Sequence, residues 1–200
     1  MTKEQALKLL HDNMESANLR KHCYAVGAVM RALALRLNAD KSADDTVGAT
    51  SAVADKWEVV GLLHDSDWEK TKGEPNKHTT LTYQWLLDLG EADQEILHAI
   101  KTHNYVHTGE NPPETKMEWA LYCCDELTGF IIAVTLVQPE KKLSSVTSEK
   151  VLKKWNKKEF AAAVDRKQIE ECEERLGVQL QEFIDISITA MQGIADELGL

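Results

Sequence analysis

The chain has 200 residues, with 23 Lys and Arg against 33 Asp and Glu, a formal net charge of −10. That length suits one domain with a full hydrophobic core, and 43% hydrophobic with 28% charged residues excludes an intrinsically disordered chain. The acidity argues against broad nucleic-acid binding, which needs clustered Lys and Arg, but it leaves room for a small phosphorylated substrate neutralised by a metal or a local basic patch. The longest uncharged apolar stretch, Gly129 to Val137, falls short of the roughly 20 residues that cross a bilayer. The opening stretch MTKEQALKLLHDNM lacks the apolar segment of a secretory signal. Cys23, Cys123, Cys124 and Cys172 form no CxxC pair and read as reduced thiols. A cytoplasmic protein without membrane contact is expected.

Taken in chain order, the pattern is helical throughout. Thr2 and Gln5 form a capping box for a helix through about Met14. Asn18 caps a second helix to about Leu37, with Leu19, Val26, Met30, Leu33 and Leu37 on its apolar stripe. Residues 38–50 are small and polar and read as a loop. A third helix over about 51–63 carries Val53, Trp57, Val60 and Gly61 on one face and runs into LLHDSDWE. After the breakers Gly73 and Pro75, a fourth helix covers about Lys77 to Leu89 and stops at Gly90. A fifth covers about Ala92 to His103, and THNYVHTGENPPE follows as a loop. The segment from about Thr115 to Val137 is apolar on most sides after Leu127, the mark of a central buried helix. A basic amphipathic segment follows over about 148–155, then helices over about 166–176 and 178–198, separated by Gly177. Val146 and Thr147 read as an extended connector. The expected fold is all-α, a compact single-domain helix bundle over residues 1–200, with a core of about 18–137 against which the C-terminal helices of about 148–198 pack.

Three metal-ligand types fall on apolar faces. His22 shares a stripe with Val26, Val29 and Leu33; His64 follows Trp57, Val60 and Gly61; Asp125 lies between Leu121 and Ile132. A carboxylate on a buried stripe is costly unless a cation or hydrogen bonds compensate it, and facing helices in a bundle core are where metal sites are built. Asp65 turns roughly 100° from His64 on an ideal helix, so it reaches the same ion only where the helix ends or distorts. Glu126 also faces apolar residues, and spacing alone does not choose between it and Asp125.

In context, GLLHDSDWE resembles the signature of the HD-domain metal-dependent phosphohydrolases, in which a helix-borne His is followed by an adjacent His-Asp pair and a distant Asp. Here these are His22, His64–Asp65 and Asp125, in that order. YCCDELTGF, LVQPEKKLSSV and Asp165–Arg166 resemble segments of a small HDIG-type subfamily with LHDxDxE and DxLTG-like motifs, so the likeness spans nearly the whole chain. His11–Asp12 is an isolated HD dipeptide with no such context.

The resemblance implies a metal-dependent hydrolase of a phosphomonoester or nucleotide, with His22, His64, Asp65 and Asp125 as ligands. Two imidazoles and two carboxylates suit Mn²⁺, Fe²⁺, Co²⁺, Ni²⁺ or Zn²⁺ better than Mg²⁺. In larger relatives further histidines bind a second ion with the Asp of the pair bridging, and His78 and His103 stand in those places, for a metal or for substrate. His78 would share a stripe with Leu81 and Trp85. Asp67 or Glu69 would assist the water or the leaving group, and Lys141 and Arg166, with Lys142, would form a phosphate-binding rim. Trp68 and Trp85 suit either the core or base stacking. His98 is expected to be solvated, His107 to lie in a loop and His11 on the surface. Two alternatives are a silent metal- or nucleotide-binding sensor and a di-iron oxygenase of the same fold.

Overall fold

The computed structural model describes residues 1–38 and 47–200. Helices α1 (Lys3–Asn13), α2 (Ala17–Asn38) and α3 (Val47–Leu63) form the first layer. Short α4 (Trp68–Thr71), a 3₁₀ turn (Pro75–Lys77), α5 (Thr80–Asp88), α6 (Gln94–His103) and α7 (Tyr105–Thr108) lead to the long α8 (Lys116–Leu136). A 3₁₀ turn (Leu143–Ser145), α9 (Ser148–Trp155), α10 (Arg166–Glu171), a wide π turn (Cys172–Leu176), α11 (Leu180–Gln192) and α12 (Ala195–Leu198) complete the chain. The all-α expectation holds, and no strand occurs among the described residues.

The local chemistry explains most element ends. The expected capping box closes α1: Thr2 accepts from Gln5 and the Gln5 side chain accepts from the Thr2 N–H. A second box, Thr115 with Glu118, starts α8. The cap of α2 is Ser16 rather than Asn18, because the Ser16 hydroxyl accepts the Leu19 N–H. The loop expected over 38–50 is tested only at its two ends, where Asn38 still belongs to α2 and α3 already begins at Val47; residues 39–46 lie outside the described residues. The fourth expected helix starts late, at Thr80, because Pro75 sets up a tight turn and Thr79 adopts a left-handed φ of 70°. The expected 102–114 loop carries the single turn α7. Gly177, at φ 71°, ends the π turn as foreseen, and the last expected helix breaks at Gly193. Val146 and Thr147 are extended.

Helices α2 and α3 run antiparallel, since Arg31 pairs with Glu58, Gly27 meets Gly61 and His22 meets His64. A Cβ at Gly61 would lie 2.7 Å from the Gly27 Cα, so only glycine allows this backbone approach. The principal core runs across α2, α3, α6, α8 and α11, with Met30, Leu33, Leu63, Ile100, Leu121, Leu127, Phe130, Ile131 and Phe183 fully buried. Among the described residues α8 alone is long and apolar enough to cross a membrane, yet most of it is enclosed by the bundle. All four cysteines are free and buried.

Candidate metal centre

The close α2–α3 approach sets the first half of the centre. His22 lies five residues before Gly27 and His64 three after Gly61, so both rings project at the same end of the helix pair. Their Nε2 atoms are 3.2 Å apart. α3 ends at Leu63, and the turn that follows removes the 100° obstacle by swinging Asp65 back toward the same point. Asp65 Oδ2 is 3.8 Å from His22 Nε2 and 3.7 Å from His64 Nε2. Asp125, from the middle of α8, brings Oδ1 to 2.8 Å from His22 Nε2 and 3.5 Å from His64 Nε2. Of the two neighbours whose spacing left the choice open, Asp125 is the one that enters the cluster; Glu126 instead accepts the Asp165 N–H.

The second half shares Asp65. Its other oxygen, Oδ1, lies 3.1 Å from His78 Nε2 and 3.3 Å from His103 Nε2. The rings pack edge to face, His64 on His103 at 4.8 Å and His78 on His103 at 5.1 Å. His103 sits at the end of α6. His78 is not on a helical stripe with Leu81 and Trp85, as its spacing suggested; it lies in the linker ahead of α5. Three donor groups have ligand atoms close enough to share an ion: His22–His64–Asp65, His64–His103–Asp125 and Asp65–His78–His103.

The residues fit a metal. His64 Nδ1 is held by the Gly61 carbonyl at 2.7 Å and His78 Nδ1 by Asp67 Oδ1 at 2.8 Å. His22 Nδ1 contacts the Thr128 hydroxyl at 3.4 Å. Each of these outer contacts fixes a ring with its Nε2 turned inward, the arrangement that orients metal-binding imidazoles. His78 Nε2 is buried and makes no well-aligned hydrogen bond, with only the Asp65 carboxylate beside it at 3.1 Å, a donor pair that a cation between them would satisfy.

The electrostatics call for positive charge at this point. Burial opposes protonation of His22, yet its hydrogen bond to Asp125 and the charges of Asp125 and Asp65 push it up to about 9. Burial likewise opposes His78, which hydrogen bonds to Asp65 and Asp67 push up to about 9. Burial would raise both Asp65 and Asp125, but the surrounding histidines hold both well below the usual carboxylate range. His103 is depressed, chiefly by burial. Glu126 is pushed up to about 7 by burial and by the charge of Asp125.

The two acidic residues after the pair are taken up by structural hydrogen bonds. Asp67 is fully buried and accepts four hydrogen bonds, from His78 Nδ1 and the backbone N–H groups of Thr79, Leu81 and Thr82. Its oxygens are committed to orienting His78 and starting α5, which corrects the expectation that it activates water. Glu69 accepts the backbone N–H groups of Glu15 and Ser16 and so secures the start of α2. It too is a structural tie.

Of the expected phosphate rim, Arg166 is committed elsewhere. The Arg166 guanidinium is taken by the carbonyls of Trp155, Lys157, Phe160 and Val164, and it stacks on Phe130 at 4.8 Å. Lys141 is exposed in the turn after α8, at φ 50°. Lys142 precedes the next 3₁₀ turn and is exposed.

Some contributors escape a reading of spacing alone. Thr128 follows Asp125 by three residues, one helical turn, and DELTG contained that signal. Exposed His107 stacks on Trp68 at 5.8 Å, and Trp68 packs edge-on against His78 at 5.0 Å. His98 is not simply solvated, since Nδ1 bonds the buried Glu118 carboxylate at 2.6 Å. His11 contacts the Tyr24 hydroxyl.

Compared with known proteins, the chain matches the family model of the HD domain over residues 19–176, more than three quarters of its length. No curated protein and no solved structure gives a significant match.

Proposed function

The chain belongs to the HD-domain metal-dependent phosphohydrolase superfamily, and from that premise we propose that it hydrolyses a phosphomonoester or nucleotide at a two-ion centre. The observation that carries this reading is Asp65, whose two oxygens face two different histidine sets. His22, His64, Asp125 and Asp65 Oδ2 would hold one ion; His78, His103 and Asp65 Oδ1 would hold the other. The mixed nitrogen and oxygen donors suit Mn²⁺, Fe²⁺, Co²⁺, Ni²⁺ or Zn²⁺. When bound, such ions lower the pKa of water and polarise a phosphoryl oxygen.

The chain's own contribution is placement, which is most of what phosphoryl transfer requires. Gly61 and Thr128 fix the rings of His64 and His22. Asp67 fixes His78. The partial exposure of His22 and Asp125 opens the centre on one side for a phosphate group, while His64 behind them is sealed from solvent.

The decisive experiment pairs metal analysis of protein purified without chelator with a wide phosphoester panel. Wild-type protein is expected to carry transition metal and to turn over at least one phosphomonoester. Asp125→Asn keeps the side-chain shape but removes a negative ligand, so turnover should fall by orders of magnitude while the fold survives. Metal-loaded protein that hydrolyses nothing in the panel would favour a sensor, and C–C or C–P cleavage with iron would favour an oxygenase.

A further inference from the structure

Glu118 does more than close the capping box of α8. In such a box the third helical residue reaches back to the N–H of the cap, a task within its own helix. Here the Glu118 side chain is only 1% exposed. Its Oε2 accepts the backbone N–H groups of Glu114 and Thr115 at 2.7 and 2.9 Å. Its Oε1 is left for another helix and meets His98 Nδ1 of α6 at 2.6 Å. Burial opposes the charge of Glu118, yet the His98 contact and the two backbone N–H groups hold its carboxyl below the usual range.

The His98 ring is steadied in turn. Thr102 is buried one turn further along α6; its hydroxyl donates to the His98 carbonyl at 2.8 Å and lies 3.4 Å from His98 Nδ1. Among the described residues no other hydrogen bond or ion pair joins α6 to α8. Leu97 and Ile100 of α6 share the core with Leu121 of α8. Apolar packing is non-directional, so it holds the helices together without fixing how far one is advanced along the other. The His98–Glu118 bond fixes that advance.

The bond lies ahead of the metal centre on both helices. His98 precedes His103 by five residues, about 7.5 Å of axis, and Glu118 precedes Asp125 by seven, about 10.5 Å and close to two whole turns. Glu118 and Asp125 therefore share one face of α8. The helices run the same way through this contact: they meet first at His98–Glu118, and again where His103 and Asp125, with His64, bring ligand atoms within 4.8 Å of one another. Beyond His103, Asn104 Nδ2 donates to the Asn76 carbonyl at 3.3 Å, which joins the end of α6 to the linker that carries His78. A slip of α6 along α8 would reach both histidines that face Asp65 Oδ1.

We propose that His98 and Glu118 are positioning residues for the second ion: their bond sets the advance of α6 along α8 and so holds His103 at Asp65 Oδ1 before metal binds. The proposal rests on the two-ion reading above for what is bound, while the placement of His103 is tested in metal-free protein. A donor held in place in advance avoids the ordering cost of binding. Loss of the bond should weaken the ion beside His103 and leave the ion at His22, His64 and Asp125 unchanged.

The test compares wild-type protein with His98→Ala, His98→Asn and Thr115→Ala. His98 is 44% exposed, so its truncation leaves no enclosed cavity. Asn places an amide N–H where the ring carries Nδ1, so it can donate to Glu118. Thr115→Ala weakens the start of α8 but keeps the His98–Glu118 bond. In chelator, the imidazole NMR signals of His103 should move and broaden in His98→Ala and return toward their wild-type positions in His98→Asn. Titration with Co²⁺, followed by calorimetry and visible absorption, should show two steps in wild-type protein. The second step should weaken about tenfold in His98→Ala, recover in His98→Asn, and stay unchanged in Thr115→Ala even as its melting temperature falls. Unchanged His103 signals and unchanged Co²⁺ steps in folded His98→Ala overturn the proposal. So does an equal loss of the second step in Thr115→Ala, which would make the effect one of stability alone. Wild-type protein that takes up a single Co²⁺ would sink the two-ion reading, and the His103 signals in chelator would still decide whether the bond places that ring.

Discussion

The Gly27 Cα lies 2.7 Å from where a Cβ at Gly61 would stand, so the backbones of α2 and α3 touch directly beneath the metal centre. Each helix then delivers one histidine from the same end. Spacing between His22 and His64 in the bundle is therefore set by two glycines that carry no chemistry themselves.

Gly61→Ala should separate these helices. Its new methyl group would meet backbone, which cannot swing aside, so a loss of about 1–3 kcal/mol is expected, together with weaker metal binding. Gly27→Ala should cost less, because its Cβ meets the Leu62 side chain, which can shift, at 3.0 Å, and backbone only at 3.3 Å, the Glu58 carbonyl, against 2.7 Å for Gly61. Urea unfolding and metal titration of both variants check the order. Equal, unperturbed metal affinity in Gly61→Ala would show that the contact does not set the histidine separation.

Asp67 separates positioning from catalysis. Asp67→Asn loses acceptor capacity toward four donors and should destabilise the protein by about 1–3 kcal/mol. With His78 no longer held through Nδ1, metal on the His78–His103 side should be lost while the His22–His64 side stays loaded. Metal content by mass spectrometry reads the difference. A variant that keeps full metal and folding, with only its turnover and pH profile altered, would return Asp67 to the role of proton-transfer group.

The legibility of this chain follows the range of the signals. Capping boxes at Thr2 and Thr115 and the left-handed turn at Gly177 are local, so the sequence displays them. Periodicity placed His22, His64 and Asp125 on inward faces, and the resemblance supplied their pairing. His78 was harder to place: its apparent stripe with Leu81 and Trp85 is broken by Pro75 and by the strained backbone of Thr79, and its direction is set by Asp67 eleven residues away. Glu69 and Arg166 carry the charge their expected roles require. Their partners are backbone groups, more than fifty residues away for Glu69 and in the irregular turn just before it for Arg166, which no pattern of side chains announces.

The metal-free protein should lose stability as the solution becomes alkaline. His22 and His78 are raised from 6.5 to about 9 in the folded protein. A raised histidine contributes stability fully present below pH 6.5 and lost as pH rises through about 9. Asp65 and Asp125 are lowered, so their contribution is present above pH 3.8 and lost in acid below it. In chelator, melting temperature should therefore fall between pH 6.5 and 9. Added Mn²⁺ or Co²⁺ displaces those protons, so the stabilisation by metal should grow across the same window. A metal-free melting temperature that climbs toward pH 9 would contradict the charge arrangement described here.

The strongest stoichiometric prediction concerns Asp65, because its two oxygens divide between the two histidine sets. His103→Ala removes a donor from one side only and should lower the metal content from about two equivalents to about one. His22→Ala should do the same from the other side. Asp65→Ala removes a ligand from both, and it leaves His103 without its carboxylate partner while Asp125 remains against His22 and His64. Its metal content should fall below that of either histidine variant, and the two losses should not add, since residues that share a ligand act as a unit. A His22→Ala/His103→Ala double variant provides the comparison. If Asp65→Ala retains as much metal as His103→Ala, Asp65 serves a single ion, and the two-ion centre reduces to the set of His22, His64 and Asp125 with a substrate-facing His78–His103 pair.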